Sequence, residues 1–313
     1  MRRLNLILSV FLFTALLSSC ASTVVAKKAS LVQGPERMFW RIQGYDAKGK
    51  PATVYVQATI HVGDDRLYPL AKSVDKAFDT ADRVAGEISS EGWAAFAKET
   101  QRHLIQSYID ADGRNVYDRL SDTQRQTVYT ILDQATAEQY AQFEPWALNS
   151  TVSSYVYFNS GLSSDKAMDT YFITRANNAK KNMEGLDTLD TQFAVLQFGT
   201  YDEQVTLLQD TLDSIADPKE VDTMTNKLYE AYLAGNVKKV AEIITEEDTN
   251  DIAKSDLYAR YYKAMLTDRN SAWADKIKTW LAEGGSTFIF AGSAHFVGND
   301  SVFFYLKQNG TLR

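Results

Sequence analysis

Soft metal-binding chemistry is scarce in this chain: one cysteine, Cys20, and three histidines, His61, His103 and His295, among 313 residues. A lone cysteine excludes an intrachain disulfide and any cysteine-based zinc cluster, and three histidines leave few ways to build a His-rich metal site. Basic charge is also limited, with 33 Lys and Arg against 40 Asp and Glu, a net charge of −7, and no long basic run. That balance argues against a nucleic-acid partner. Glycine (16) and proline (5) are too few, and biased tracts too short, for a collagen-like or disordered chain. No HExxH helix, GxSxG elbow, phosphate-binding Gly-rich loop or dinucleotide fingerprint is present, so the commonest enzyme signatures have no residues to support them. What remains is 45% hydrophobic and 12% aromatic, enough to bury a large core.

One apolar run stands apart. Arg2 and Arg3 precede Leu4 to Leu17, interrupted only by Asn5, Ser9 and Thr14. The run is too short to span a membrane comfortably and reads as an export signal over residues 1–19. It ends in Leu17-Ser18-Ser19-Cys20, which resembles the lipobox of bacterial lipoproteins. That resemblance implies a diacylglyceryl group on the Cys20 thiol, and multiple acyl chains anchor a protein stably where one does not. Ala21, rather than aspartate, after the cysteine implies outer-membrane sorting in a Gram-negative envelope. Residues 20–36, mostly small and polar with Lys27, Lys28, Gly34 and Pro35, read as a tether.

The folded domain is expected over 37–313. Met38 to Ile42 and Thr53 to Ile60 read as strands joined by a turn at Asp46 to Pro51, and Pro69 opens a helix through Leu70, Val74, Ala77 and Phe78. Arg83 to Ile88 is a short strand. From Gly92 to Glu283 the apolar spacing is helical, broken by loops at Asp110 to Arg114, Asn159 to Asp165, Asp217 to Lys219 and Gly235-Asn236. Ser286 to Ala291 is an apolar strand, and Ser301 to Leu306 with a turn at Gly310 close the chain. Strands flanking a helical insert predict an α/β or α+β fold whose central sheet is assembled from both ends of the sequence.

The two ends also echo each other in chemistry. Ala58-Thr59-Ile60-His61-Val62-Gly63 and Gly292-Ser293-Ala294-His295-Phe296-Val297-Gly298 each place a histidine shortly after an apolar strand and a glycine shortly after the histidine. A histidine just beyond a strand's carboxyl end sits where open α/β sheets place their ligand crevice. His103 lacks that setting and reads as a surface residue. Glu87, at the end of the Val84 to Ile88 run, needs a metal, histidine or arginine partner to stay ionised if buried. Asp268-Arg269-Asn270, on spacing alone, is a solvated helix-end triplet.

Taken in order, ATIHVGD, GEIS, DRNSAW and FAGSAHFVG resemble the TraB/GumN family, which includes the Tiki metalloproteases and is similar in fold to erythromycin esterases and the haem-binding lipoprotein ChaN. GLSSDKAMDTYFITRA (161–176), GLDT (185–188) with Gln192, and YLAGN (232–236) fall where the family has similar phrases. Ala58 stands where the family has glycine, and Asp187 where it usually has glutamate. The resemblance implies a central polar set of His61, Glu87 and His295, with Arg269 and Asn270 nearby.

Those residues admit two hydrolytic uses. His61, Glu87 and His295 as ligands of a divalent metal (Mn, Co or Zn) would acidify a bound water for attack on a peptide or ester carbonyl, as in a metallopeptidase. Alternatively a histidine activates water without metal, Glu87 orients it and Arg269 stabilises the oxyanion, as in an esterase. A third reading is a lipoprotein that holds haem or a small ligand in an aromatic cleft, although the 17 tyrosines and 15 phenylalanines are spread along the helices as in ordinary packing. The partners expected are a peptide or small-molecule substrate and, through the anchor, a membrane. Cys20→Ser should abolish acylation and release the protein from the membrane fraction, which metabolic labelling with a fatty acid and fractionation would detect.

Overall fold

The computed structural model describes residues 28–108, 113–155, 161–252 and 255–313, the side chains of 246–252 excepted. The export signal and Cys20 lie outside the described residues. Six strands form one mixed sheet: β1 (Ser30–Gln33), β2 (Phe39–Tyr45), β3 (Pro51–Thr59), β4 (Arg83–Gly86), β5 (Met183–Gly185) and β6 (Gly285–Gly292), in the order β1-β2-β3-β6-β4-β5. β1, β2 and β3 run antiparallel, while β3, β6, β4 and β5 run parallel. The expected sheet from both ends of the chain is therefore present, with the C-terminal strand β6 inserted between two N-terminal ones.

Three boundaries differ from the sequence reading. The sheet begins inside the segment read as tether, because Ser30–Gln33 pairs with Trp40 to Gln43 as an edge strand. The first helix, α1 (Lys72–Thr80), starts three residues after Pro69, with Ala71 extended at its N-cap. The helical insert contributes β5, a strand of three residues, too short to show an alternating pattern.

The insert runs through α2 (Ser90–Gln106), α3 (Asp122–Ile131), α4 (Gln134–Tyr140), α5 (Pro145–Tyr155), α6 (Met168–Asn178), α7 (Leu189–Leu196), α8 (Tyr201–Ser214), α9 (Pro218–Leu233), α10 (Val237–Ile252), α11 (Asp256–Tyr262) and α12 (Asp268–Glu283). A π-helical segment, Lys263–Thr267, joins α11 to α12. The side chains of Ser89, Ser121, Asp133, Thr200 and Asp217 accept hydrogen bonds from backbone amides in the first turns that follow them, which satisfies donors no helix can pair internally. Ser301 does the same for the closing helix α13 (Val302–Gln308).

The strands packed on both faces read as continuous apolar runs, as buried parallel strands do. On β6 the four residues Phe288 to Ala291 are all at most 2% exposed. Phe78 of α1 and Phe172 of α6 meet Phe288 at ring-centroid distances of 5.4 and 5.1 Å, and Phe172 also stacks on Phe290 at 5.2 Å. A smaller apolar cluster in the insert joins Val116, Leu120, Val128, Leu148, Val152, Leu208 and Leu212. No helix among the described residues is long and apolar enough to cross a membrane.

Because Phe288 bridges β6 to two helices, Phe288→Ala should cost about 3–5 kcal/mol of unfolding free energy, measured by chemical denaturation.

Candidate functional site

Parallel register decides the site. Thr59 lies opposite Gly292 across β3 and β6, and Gly86 opposite Gly185 across β4 and β5. His61, His295, Glu87 and Asp187 each follow one of these four strand ends by one to three residues. Four chain segments far apart in sequence thus deliver polar side chains to one edge of the sheet, where α/β folds bind ligands.

His61 and His295 line a single cavity of about 940 Å³, together with Glu87, Gln192, Arg269 and Gly292. A Cβ at Gly292 would lie 3.2 Å from His61 Nε2 and 3.3 Å from Glu87 Oε1, so glycine keeps open the space between imidazole and carboxylate.

Each imidazole is tied at Nδ1. His61 Nδ1 donates to Asp169 Oδ2 at 3.0 Å, and Asp169 Oδ1 accepts from Thr59 Oγ1 at 2.6 Å. Asp169 lies in the first turn of α6, where the helix dipole favours a carboxylate. His295 Nδ1 faces Asn270 Oδ1 at 2.5 Å, and Asn270 Nδ2 donates to the Asp300 carbonyl at 2.7 Å. A carbonyl only accepts, so the Asn270 amide is oriented with its oxygen toward the ring. His295 therefore carries its proton on Nδ1 and keeps a lone pair on Nε2.

The two rings differ in charge. The Asp169 carboxylate beside His61 raises its pKa to about 9 against the opposing effect of burial, and Glu87 adds to the rise. The side chain is nevertheless 64% accessible, because it sits deep in the molecule but opens onto the cavity. Burial pushes His295 down to about 3, opposed by Glu87 and reinforced by Arg269 and His61. Burial would likewise raise Glu87, but the charge His295 takes up in acid, the His61 and Arg269 cations and the Gly292 N–H outweigh it and hold the carboxyl at about 2.

Arg269 is not a solvated helix-end residue. It lies in the first turn of α12, 8% exposed, with Nε donating to Asp187 Oδ2, one terminal nitrogen to Glu87 Oε2 and the other to the Met265 carbonyl, each at 2.8 Å. The Met265 carbonyl belongs to the π-helical segment, the kind of local irregularity that recurs at functional sites. Trp273 Nε1 holds the other Asp187 oxygen at 2.7 Å, and Gln192 donates to Asp187 Oδ2 at 2.9 Å and to Glu87 Oε2 at 3.4 Å. With three of its five N–H groups engaged, Arg269 positions Glu87 at the edge of the cavity. Asn270, 1% exposed, positions His295.

Sequence reasoning missed Asp169, although the quoted phrase GLSSDKAMDTYFITRA contains it. Its one signal was a carboxylate in the first turn of a helix. His103 is also corrected: it is half-buried, stacked on Phe193 at 3.9 Å with Nδ1 hydrogen-bonded to Gln197 at 2.8 Å, because α2 packs on α7 there.

Residues 38–312 match the TraB/PrgY/gumN family. The chain belongs to that family. It is 29% identical over 311 residues to a protein of Treponema pallidum (strain Nichols) described as uncharacterized, a match covering 98% of this chain and 91% of the relative. No solved structure matches it.

The divalent metal implied by the family resemblance does not fit the donors as arranged. Among the described residues no three His, Cys, Asp or Glu side chains converge to hold an ion. Glu87 already accepts from the Gly292 N–H at 3.0 Å and from the Arg269 guanidinium, a cation 2.8 Å from the would-be ligand. The described residues that line the cavity include no Tyr, Phe or Trp.

Imidazole titration followed by NMR should give one histidine near pH 9 and one still neutral at pH 5. Asp169→Asn should bring the first below about 7, toward the unperturbed value. The raised His61 pKa also stabilises the fold fully below about pH 6.5, a contribution lost as pH rises through about 9.

Proposed function

We propose that this TraB/PrgY/gumN-family chain is an envelope-anchored hydrolase of ester or amide carbonyls, working through His61 and His295 without a resident metal. The observation that carries this reading is the pair of imidazoles on one cavity, each fixed at Nδ1 by a different partner and each with Nε2 available. Water is a poor nucleophile at neutral pH and needs a positioned base. Neutral His295 takes the water's proton at Nε2. Its low pKa costs proton-transfer driving force, which the Glu87 carboxylate restores in part by stabilising the imidazolium as it forms. The His61 imidazolium, held by Asp169, faces the developing oxyanion and then protonates the leaving group. Two titratable groups whose environments push them apart divide the acid and base roles.

Glu87 lies between them as a fixed negative charge that supports both imidazolium states. Arg269 and Asp187 prevent it from turning away. Lipidation at Cys20 would hold the domain at the membrane surface.

His61→Asn and His295→Asn should each lower kcat by about 10²–10⁴ on an ester and amide panel, and Glu87→Gln should fall in the same direction. The pH–rate profile should be flat from about 4 to 8 and decline near 9, with the decline moved below 7 by Asp169→Asn. A rate that rises through pH 9 would make His61 the base instead. Activity that disappears with a strong chelator and returns with Mn, Co or Zn would restore the metallopeptidase reading. Absence of turnover with any added metal would leave a ligand-binding lipoprotein.

A further inference from the structure

The cavity is far larger than a carbonyl and a water require, and its walls carry apolar side chains as well as the polar set. One end carries His61, Glu87 and His295. Away from them, Val221, Met224 and Leu228 of α9 and Met265 of the π-helical segment line the same space. These four side chains are half-buried rather than enclosed in the core, so their apolar surface faces the cavity. Leaving such surface in water is unfavourable, and a ligand that covers it gains the difference.

We propose that this cavity is an acyl site: it takes a carboxylic derivative whose carbonyl lies at the two histidines and whose unbranched aliphatic chain lies along α9. The proposal deepens the hydrolase reading, on which the placement of the carbonyl rests. Three features support a chain over a compact group. Val221, Met224 and Leu228 are spaced i, i+3 and i+7, one continuous face of a helix. At 1.5 Å per residue that face is about 10 Å long, more than one amino-acid side chain covers. Two of the four apolar residues are methionines, whose flexible thioethers adapt to a mobile chain.

Charge sets the direction. Asp213 and Glu220 line the cavity as well, and they disfavour a carboxylate at their end, whereas at the other end the Glu87 charge is met by the Arg269 guanidinium and the His61 imidazolium is left to attract one. The carboxyl head therefore lies at His61 and the methyl end along α9.

Calorimetry on the full chain in lipid nanodiscs, with empty nanodiscs as the blank, tests this with butyrate, hexanoate and octanoate. A fully buried methylene contributes about fourfold in affinity, so the four added from butyrate to octanoate give up to about 200-fold, and partial burial should still leave a rise of about tenfold or more. Met224→Gln, close to methionine in shape but with an amide in the wall, should remove most of that rise, and Met224→Leu should keep it. N-acetyl-leucinamide, which offers a branched side chain on a peptide, should bind more weakly than octanoate.

Affinity independent of chain length overturns the acyl site, and so does tighter binding of N-acetyl-leucinamide. A matching series of p-nitrophenyl esters separates this inference from the reading beneath it. Length-dependent binding without ester turnover upholds the acyl site while the hydrolase reading fails. Turnover that ignores chain length, with flat binding, upholds the hydrolase and overturns the acyl site.

Discussion

A buried guanidinium shared between two carboxylates organises this protein. Arg269 reaches Asp187 and Glu87 at once, each at 2.8 Å, with the three side chains 9%, 4% and 18% exposed. Taking such groups out of water is costly, and the arrangement persists because nearly every polar atom finds a partner: the Met265 carbonyl, the Trp273 indole, the Gln192 amide and the Gly292 N–H. The network joins the ends of β4, β5 and β6 to the first turn of α12. Removing one member leaves the others charged and unpaired, which is why the site and this part of the fold depend on the same contacts.

Asp187 illustrates the coupling. Its two oxygens are fully used, one by Trp273 and one by Arg269 and Gln192. Asp187 lies two residues beyond β5, and its backbone amide donates to the Glu87 carbonyl at 2.8 Å. Trp273 in turn packs on His295 at a ring distance of 4.1 Å and lies under the Arg269 guanidinium at 5.1 Å. One tryptophan therefore links the ion network to one of the two histidines, while Asp169, on a separate helix, governs the other. The opposite charge states of His61 and His295 arise from this separation.

Much of the frame was legible in sequence. Apolar runs at Thr53 to Ile60 and Ser286 to Ala291 announced β3 and β6, and the repeated histidine context pointed to one shared crevice. Glu87, at the end of a short apolar run, required a partner on physical grounds alone. Asp169 was not legible, because an acidic residue in a helix's first turn is ordinary on thousands of solvated surfaces. Arg269 and Asn270 misled in the other direction: their polar spelling suggests solvent, but Arg269 is held by carboxylates 82 and 182 residues away in the chain and Asn270 by groups 25 and 30 residues away. β5 was hidden by its length.

The sequence by itself determined that the segments of β2, β3, β4 and β6 could be strands, that the sheet would draw on both ends of the chain, and which histidines shared a local setting. Those properties depend on near neighbours in the chain, through alternation, helical spacing and turn-forming residues. Tertiary structure alone decided that β6 enters between β3 and β4, which brings His61, Glu87, Asp187 and His295 to one edge. It also decided that Arg269 is consumed by carboxylates and that His61 is charged while His295 is neutral. A pKa depends on the groups within a few ångströms and on how much water is excluded, and neither is a property of residues adjacent in sequence.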